Sequence, residues 1–238
     1  MAAAVLFDLG NTLAAYYHAD QFRPILAAAI AAVRDELAGR GLCEVSVEAA
    51  LHAAIAENQE APDYRFRPMI GRLERIFQAP LAADPKLAAA VCERFLEPVF
   101  AMGRVYADTL PTLAKLRRAG VKTAIVSNSP WGSPPEAWRR ELRRLELLEA
   151  VDAVVLCGDV GWRKPAADIF RHALGKLGCD ASECLFVGDD LRWDVEGSAS
   201  VGMRPVLIDR DARHPDYAGH RVTDLNGVLG ALDPVQRV

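Results

Sequence analysis

Acidic side chains follow two short apolar segments of this chain, one near each end of the 238 residues. The segments are residues 5–7 and 185–187, and each runs directly into a glycine-containing polar turn. A continuous apolar run that stops at such a turn is typical of a buried strand in a parallel sheet. Carboxylates at the ends of two strands predict a site for a divalent cation, because hard cations prefer oxygen ligands. The acidic residues concerned are Asp8 after the first segment and Asp189, Asp190 and Asp194 after the second.

Two further polar groups lie between these segments in the sequence, and each of them also follows an apolar run. Ser127 and Asn128 follow the apolar run 121–126, and Lys164 precedes Pro165 just after the run 151–156. Alone, each has an ordinary interpretation, since Ser-Asn pairs are common in turns and a lysine is commonly a solvated surface residue. Ligand sites of parallel α/β sheets lie at the carboxyl ends of the strands. The shared position of the groups therefore predicts one site.

The secondary-structure patterns that would position these groups are of two kinds, in two parts of the chain. From about residue 108 onward, helical patterns alternate with strands at 121–126, 151–156, 185–187 and 205–208. This alternation predicts βαβ units and a mostly parallel sheet, which the strand at 5–7 joins. Residues 16–100 instead repeat apolar residues at helical spacing and contain no convincing strand. We therefore predict an α/β core of residues 1–15 and 101–238, with an all-α domain of residues 16–100 inserted into it.

The order of the four motifs resembles the haloacid dehalogenase (HAD)-like hydrolase superfamily. The motifs are D-L-G-N-T at Asp8, S-N at Ser127, K-P at Lys164 and G-D-D-x-x-x-D at Asp189. The helical insertion after the first motif is similar to the C1-type cap of subfamily I. The resemblance implies a Rossmann-like three-layer core, a cap that covers the strand ends, and a phosphohydrolase that depends on Mg²⁺.

The resemblance also implies a role for each matching residue. Asp8 would be the nucleophile that forms an aspartyl-phosphate, and Ser127 and Lys164 would bind and balance the transferring phosphoryl group. Mg²⁺ would be held by Asp8, Asp189 and the backbone carbonyl of Gly10. The remaining implied positions are Asn11, Thr12 and Asn128 for phosphate binding, with Thr12 also shaping the loop, and Asp190 and Asp194 behind the metal ligands or as alternative ligands.

Gly10 departs from the family pattern, because most phosphatases of this family carry a second aspartate there as general acid and base. Loss of such a group typically reduces the rate by about 10²–10⁴-fold, and alkoxide leaving groups need the proton most. His18 and Asp20, at the mouth of the cap, are candidate substitutes. Three interpretations stay open: a phosphatase with a substitute acid, a phosphatase limited by its leaving group, and a phosphometabolite-binding protein with little or no turnover.

Two sister chemistries of the family also lack the second aspartate. Its dehalogenases carry a tyrosine at the position of Gly10, and a serine and an asparagine where this chain keeps Asp189 and Asp190, so a dehalogenase-type hydrolase is less favoured. Its phosphonoacetaldehyde hydrolases need a cap lysine for a Schiff base. The cap has only Lys86, in the predicted first turn of a helix, where a surface position is the simpler interpretation.

Substrate recognition would fall to the cap and to aromatic residues that follow the motifs. The cap segment 64–72 concentrates arginines and aromatics, and Arg23 stands near the cap start; an anion site and an exposed basic helix start are both open. Trp131, Trp162 and Trp193 each follow a motif closely, and they would wall a substrate cavity or fill the core.

The net charge, the length of the apolar stretches and the cysteine content limit the classes of partner and the cellular location that we expect. The formal net charge of −4 argues against nucleic acid, and no apolar stretch is long enough to span a bilayer. The odd number of cysteines, five without a C-x-x-C pair, indicates reduced thiols and a cytoplasmic protein. We expect a small phosphorylated metabolite as the partner, no nucleic acid, no membrane, and a monomer or homodimer.

Overall fold

The computed structural model describes residues 2–17, 19–57 and 62–232. Within them, a six-stranded sheet forms the centre of the molecule, and a separate ribbon of two short strands lies beside it. The sheet strands are short and strongly apolar, as expected for strands buried on both faces. They are β1 (Ala4–Phe7), β4 (Lys122–Ser127), β5 (Ala153–Leu156), β6 (Cys184–Gly188), β7 (Arg204–Ile208) and β8 (Arg221–Val222).

The strand order brings the first and fourth motifs together. The order is β5-β4-β1-β6-β7-β8, and every pair of neighbours is parallel. The chain runs outward from β1 to β5 on one side and then starts again at β6 on the other, which is the Rossmann order with its switch point between β1 and β6. Phe7 pairs with Val187 there, so the two acidic turns leave the sheet side by side. The predicted Rossmann-like α/β fold is confirmed.

Alternation along the strands divides the core into two layers of apolar side chains. Val5 and Phe7 face one layer, and Ala4 and Leu6 face the other, where α8 covers the sheet. Helices on both faces complete the three-layer arrangement. The core helices are α5 (Thr109–Arg118), α6 (Pro135–Arg144), α7 (Cys157–Val160), α8 (Ala167–Leu177), α9 (Gly197–Ala199) and α10 (Asn226–Gly230).

The segment between β1 and β4 forms a helical cap, and polar side chains cap the first turns of two of its helices. Ser46 accepts a hydrogen bond from the backbone N–H of Ala49, and Asp84 caps the next long helix from the position before Pro85. An apolar seam between the first and last helices holds the bundle together. The cap helices are α1 (Phe22–Gly39), α2 (Val47–Ala56), α3 (Met69–Phe77) and α4 (Pro85–Met102).

The two connections between cap and core pair with each other. Strand β2 (Ala14–Ala15) runs antiparallel to β3 (Arg104–Val105), and they form the two-stranded ribbon. The sequence analysis found no strand at either position, since two residues are too few to show a period. The predicted boundaries after residues 15 and 100 fall near the ribbon, although α4 continues to Met102. The division into domains stays a prediction.

The chain after β6 reaches its next α-helix, α9, only after a turn of a different kind. A π-helical turn, Leu191–Glu196, begins earlier and leads into α9. Asp190 starts it, because its carboxylate accepts hydrogen bonds from the backbone N–H groups of Arg192 and Trp193. The turn brings Asp194 back against Gly188, where an added Cβ would lie 2.3 Å from the carboxyl carbon of Asp194. Only a glycine permits this approach.

Backbone hydrogen bonds attach the cap to the core on the side away from the ribbon. The amide of Phe66 donates to the carbonyl of Gly161 at 2.9 Å, and that of Arg163 donates to Tyr64 at 2.8 Å. The Arg65 guanidinium stacks over the Trp162 ring, 3.8 Å from its centroid. The cap therefore lies closed over the strand ends in this structure.

Gly132 packs closely against the backbone of the cap residue Arg67, and its replacement by alanine is expected to disturb the closed state. A Cβ at Gly132 would lie 1.8 Å from the carbonyl oxygen of Arg67, so the chain must move. Gly120 has the same φ of +71° with open space around it, which makes Gly120→Ala the matched control for left-handed strain alone. We expect a loss of about 1–2 kcal/mol for Gly120→Ala and at least about 3 kcal/mol for Gly132→Ala.

Chemical denaturation would measure both losses, and limited proteolysis would report opening of the cap. Equal losses in the two variants, with unchanged proteolysis, would contradict a tight contact between Gly132 and the cap.

Two remaining predictions from bulk properties concern cysteines and membranes. All five cysteines are free thiols, as predicted. Among the described residues, no helix combines the length and the apolar character that crossing a membrane requires.

Candidate active site

Asp8 lies at the carboxyl end of β1, in the middle of the strand order. Its backbone N–H continues the sheet by donating to the carbonyl of Val187 at 2.9 Å, which fixes the start of the side chain. One carboxylate oxygen, Oδ1, accepts hydrogen bonds from Lys164 Nζ at 2.6 Å and from Ser127 Oγ at 3.2 Å. The sequence predicted these three residues as one group, and they meet across separations of 119 and 156 positions.

Lys164 is a buried cation shared between two carboxylates. Its Nζ lies 2.6 Å from Asp8 Oδ1 and 2.6 Å from Asp194 Oδ1, and its side chain is 3% exposed. Burial opposes the positive charge, but the carboxylates of Asp194 and Asp8 outweigh it and raise the pKa of the ammonium above its usual value. Lys164 is therefore a permanent positive charge in the site and not a proton donor near neutral pH.

Asp8, Asp189 and Asp194 form the acidic cluster of the site. Each offers a carboxylate oxygen, and these oxygens lie within 4.8 Å of one another. Burial, followed by the negative charge of Asp8, raises the pKa of Asp189 to about 6, with Arg213 opposing the rise. Burial also raises the pKa of Asp194, which the ammonium of Lys164 opposes. One lysine for three crowded carboxylates leaves negative charge that a divalent cation would neutralise, so the donor set fits Mg²⁺.

Asp190 lines the cavity and also caps the turn after β6. Its Oδ1 is 2.8 Å from the backbone nitrogens of both Arg192 and Trp193, so it caps the π-helical turn. Asp194, one turn later, joins the acidic cluster instead and accepts a hydrogen bond from the backbone N–H of Asp190. Asp190 thus shapes the turn and Asp194 belongs to the cluster, while their roles behind the metal ligands or as alternative ligands stay a prediction.

The predicted phosphate-binding residues occupy three different environments. Asn128 binds the backbone of Lys164 in both directions, accepting from its N–H at 2.8 Å and donating to its carbonyl at 3.2 Å. Asn11 lines the cavity with φ of 56°. Thr12 is fully buried and is absent from the described cavity lining, because its loop folds back over it and its carbonyl accepts from Arg210. Asn11 and Asn128 thus both line the cavity, whereas Thr12 lies outside the described lining and supports the loop.

Of the two candidate substitute acids, the structure describes Asp20 and does not bring it into the site. Asp20 lies in the 3-10 turn before α1, is exposed to solvent, and is absent from the described cavity lining. His18 lies outside the described residues. Gly10 itself lines the cavity, and a Cβ built there meets no heavy atom within 4 Å.

A cavity of about 500 Å³ opens above the acidic cluster, between the core and the cap. Two of the three predicted tryptophans, Trp131 and Trp193, line it, whereas Trp162 stacks with Arg65 outside it. Tyr16 and Trp138 also line it, and the sequence analysis missed both. Trp138 belongs to a helix with no motif nearby, so only the packing of α6 against the ribbon reveals its place.

The cap arginines do not form an anion site in the described cavity lining. Arg65 stacks on Trp162, Arg67 pairs with Asp63 at 2.9 Å, and Arg72 is buried 5.8 Å from the centroid of the Trp131 ring. Arg23 is exposed and also lies outside the lining. An anionic substrate would therefore meet its positive charges on the core side of the cavity.

Arg213 supplies one of these charges, and the sequence analysis did not select it. Its guanidinium lies 3.0 Å from Asp189 Oδ2 at the rim of the cavity. The buried carboxylate of Asp209 holds this loop by accepting hydrogen bonds from the N–H groups of Arg213 and His214. The available signal was the polar run directly after β7, which leaves the sheet at the same edge as the motifs.

A parallel sheet in Rossmann order, a closed helical cap, and a buried Asp–Lys–Asp centre at the switch point define a class of capped α/β enzymes. The family model described as haloacid dehalogenase-like hydrolase matches residues 2–202. The chain belongs to this family, so the resemblance of the four motifs is confirmed.

Relatives with established names agree with this assignment. The chain is 31% identical to glyceraldehyde 3-phosphate phosphatase of Methanopyrus kandleri, covering 98% of this chain and 99% of that protein. It is 32% identical to ribulose-1,5-bisphosphate 5-phosphatase of Halopiger xanaduensis, covering 88% and 85%. The crystal structure of a HAD phosphatase from Thermococcus onnurineus superimposes with a TM-score of 0.68 and 27% identity, covering 96% and 97%. The prediction of a HAD-like phosphatase is confirmed at this level.

Proposed function

We propose that this protein is an Mg²⁺-dependent phosphohydrolase that cleaves a small-molecule phosphomonoester through an aspartyl-phosphate on Asp8. The observation that carries the proposal is the setting of Asp8, whose carboxylate is bound by Lys164 and Ser127 and stands in an acidic cluster at the floor of a capped cavity. A protein that only bound phosphate would not need a carboxylate directed at it, since the two anions repel each other unless a cation separates them.

Asp8 and Asp189 would hold the metal ion, together with the backbone carbonyl of Gly10. Asp194 would lie behind these ligands or replace one of them. Bound Mg²⁺ would screen the carboxylates from the phosphate and polarise the phosphoryl oxygens. The clustering of the carboxylate oxygens within 4.8 Å supports this assignment.

The side chains around Asp8 would orient the attack. Lys164 and Ser127 both bind Oδ1, so Oδ2 is the oxygen that we assign to attack on phosphorus. The P–O bond to the leaving group breaks as the bond to Asp8 forms, and water then attacks the phosphorus of the aspartyl-phosphate and releases inorganic phosphate. Lys164 would balance the charge on the transferring group throughout, because its raised pKa keeps it protonated.

The closed cap would exclude bulk water while the aspartyl-phosphate forms, and it would limit the substrate to small molecules. The relatives named as phosphatases of glyceraldehyde 3-phosphate and ribulose-1,5-bisphosphate support a small phosphorylated metabolite as substrate. A cytoplasmic location, a monomer or homodimer, and the absence of nucleic-acid and membrane partners remain part of the proposal.

The proposal predicts Mg²⁺-dependent hydrolysis of activated phosphate esters. Purified protein would be assayed with p-nitrophenyl phosphate and acetyl phosphate, first after chelation of metals and then with increasing Mg²⁺. We expect negligible release of phosphate without metal and saturable recovery with it, because three crowded carboxylates repel an anionic substrate. Calcium serves as the control cation, since its larger size and looser geometry suit the site poorly.

Release of phosphate that is unaffected by chelation would contradict the role of the metal. Binding of phosphate without turnover of either ester would instead favour the alternative, a phosphometabolite-binding protein, which the glycine at position 10 makes a specific competitor.

A further inference from the structure

The side of the cavity that faces the cap and the ribbon is formed largely by aromatic rings. We call these residues the ring wall. Opposite it lie the acidic cluster and Lys164, so a phosphate bound over Asp8 would direct its leaving group towards the rings. The ring wall consists of Tyr16, Tyr17, Phe22, Val99, Trp131 and Trp138.

Two of the inner rings, Trp138 and Tyr16, have their polar atoms occupied by the protein, which leaves their faces and edges for a ligand. The indole N–H of Trp138 donates to Ser133 Oγ at 2.8 Å, and the Tyr16 hydroxyl donates to Glu141 at 3.4 Å. Tyr16 and Trp138 pack edge to face with centroids 5.6 Å apart, which fixes both orientations. A leaving group rich in hydroxyls would find few partners on such a surface, whereas a flat apolar group would bury its area there.

Phe22 closes the outer end of the ring wall. It lies in the first turn of α1, packs on Tyr17 with ring centroids 6.4 Å apart, and is 36% exposed although it is a large apolar residue. An exposed phenylalanine at the mouth of a cavity is an apolar surface that a bound ring would cover.

Gly10 points to the same kind of leaving group by an independent argument. Without an acid at this position, the leaving oxygen must depart as an anion or take its proton from water. A phenol, with a pKa of about 10, forms its anion far more readily than an alkyl alcohol, whose pKa is several units higher and close to that of water. A site without a general acid therefore favours aryl over alkyl esters.

We propose that the site is built for an aryl phosphate, the phosphate monoester of a flat aromatic alcohol; this rests on the phosphohydrolase function proposed above. Asp8 forms a bond to phosphorus while the bond from phosphorus to the aryl oxygen breaks. The electron pair leaves with that oxygen as a phenolate, which takes a proton from solvent. Water then cleaves the aspartyl-phosphate to inorganic phosphate and restores the Asp8 carboxylate.

Four esters separate ring recognition from leaving-group activation. Phenyl phosphate is flat and activated, benzyl phosphate is flat but leaves as an alkoxide, trifluoroethyl phosphate is activated but not flat, and butyl phosphate is neither. We expect a KM about three- to tenfold lower for the flat member of each pair, from contacts with the rings. We also expect kcat to be at least about 10²-fold higher for the activated members.

Phe22→Leu tests the ring wall directly, since it keeps an apolar side chain but removes the ring. It is expected to raise KM for the phenyl and benzyl esters and to leave KM for the other two unchanged. Leu42→Ala is the matched control, because Leu42 is a cap residue of similar exposure, 44%, outside the described cavity lining. Equal KM values for flat and non-flat esters, or equal effects of the two substitutions, would overturn the proposal.

Failure of the phosphohydrolase function itself gives a different result. If none of the four esters is hydrolysed, calorimetric binding of phenylphosphonate and butylphosphonate in the presence of Mg²⁺ decides the matter. Tighter binding of phenylphosphonate would support the ring wall although turnover is absent, and equal binding would overturn the inference together with the activity.

Discussion

Replacement of Asp8 by asparagine is expected to reduce turnover of every phosphate ester by about 10⁴-fold or more, as loss of a nucleophile does in other covalent mechanisms. The amide cannot attack phosphorus under these conditions, and it removes one carboxylate from the acidic cluster. Acid-quenched mass spectrometry of the peptide that contains residue 8 would detect phosphate on the wild-type chain and none on the variant.

The same variant is expected to fold normally. Lys164 keeps its ion pair with Asp194 at 2.6 Å, so the buried ammonium is not left unpaired. Removing one of three mutually repelling carboxylates stabilises the cluster, and this offsets part of the stability lost with the hydrogen bonds of Asp8. We expect a change in the free energy of unfolding below about 2 kcal/mol.

Asp35→Asn is the control for the Asp8 variant, since Asp35 is an exposed carboxylate on α1 with a side chain 72% accessible. It should keep full activity. Wild-type rates in Asp8→Asn, or a loss of activity explained by unfolding, would contradict the assignment of the nucleophile.

Replacement of Gly10 by aspartate is expected to raise kcat on alkyl phosphates by about 10²–10⁴-fold, the usual contribution of a general acid. A Cβ at this position meets no heavy atom within 4 Å, and Gly10 lines the cavity, so the new carboxyl has both room and access. Activated esters should change little, because their leaving groups need no proton. The measured quantity is the ratio of kcat for phenyl phosphate to kcat for butyl phosphate, which should fall.

Gly10→Asn separates the effect of proton donation from the effect of adding a side chain at position 10. The amide has nearly the same shape as the carboxyl but cannot act as a general acid at neutral pH. It should leave the ratio of the two rates unchanged. A similar gain from asparagine and aspartate would show that bulk or rigidity at position 10, and not a missing acid, limits the reaction.

The ring wall and Gly10 together separate this chain from the substrates in the names of its relatives. Glyceraldehyde 3-phosphate and ribulose-1,5-bisphosphate are hydroxylated aliphatic molecules. The cavity of this protein is lined by aromatic rings, and the polar atoms of two of them, Trp138 and Tyr16, already bind Ser133 and Glu141. We therefore expect a shared core chemistry with a different leaving group.

Local sequence patterns were sufficient to predict the main strands and helices and the residues at the centre of the site. The apolar run before Asp8 and the run before Asp189 specify strands because each is continuous and ends at a polar turn, and the cap helices follow from apolar spacing and from caps such as Ser46. Lys164 and Ser127 were found because ligand sites of parallel sheets lie at the strand ends, and the structure brings both to Asp8.

The tertiary structure decided which side chain does what within that frame. Asp190 and Asp194 are the same residue type in one turn, but a π-helical turn and the close approach at Gly188 make the first a helix cap and the second part of the acidic cluster. Asp20 is close to the first motif in the sequence, but its side chain is exposed at the protein surface.

The ring wall had no signal in the sequence, since it joins segments as far apart as Tyr16 and Trp138. The pairing of Arg213 with Asp189 was signalled only by the polar run after β7. The sequence by itself determined the strands, the inserted helices and the chemical groups at the strand ends, because these depend on residue type and on spacing of a few positions. The shape of the cavity and the supporting contacts came only from tertiary packing, because they depend on how distant segments meet.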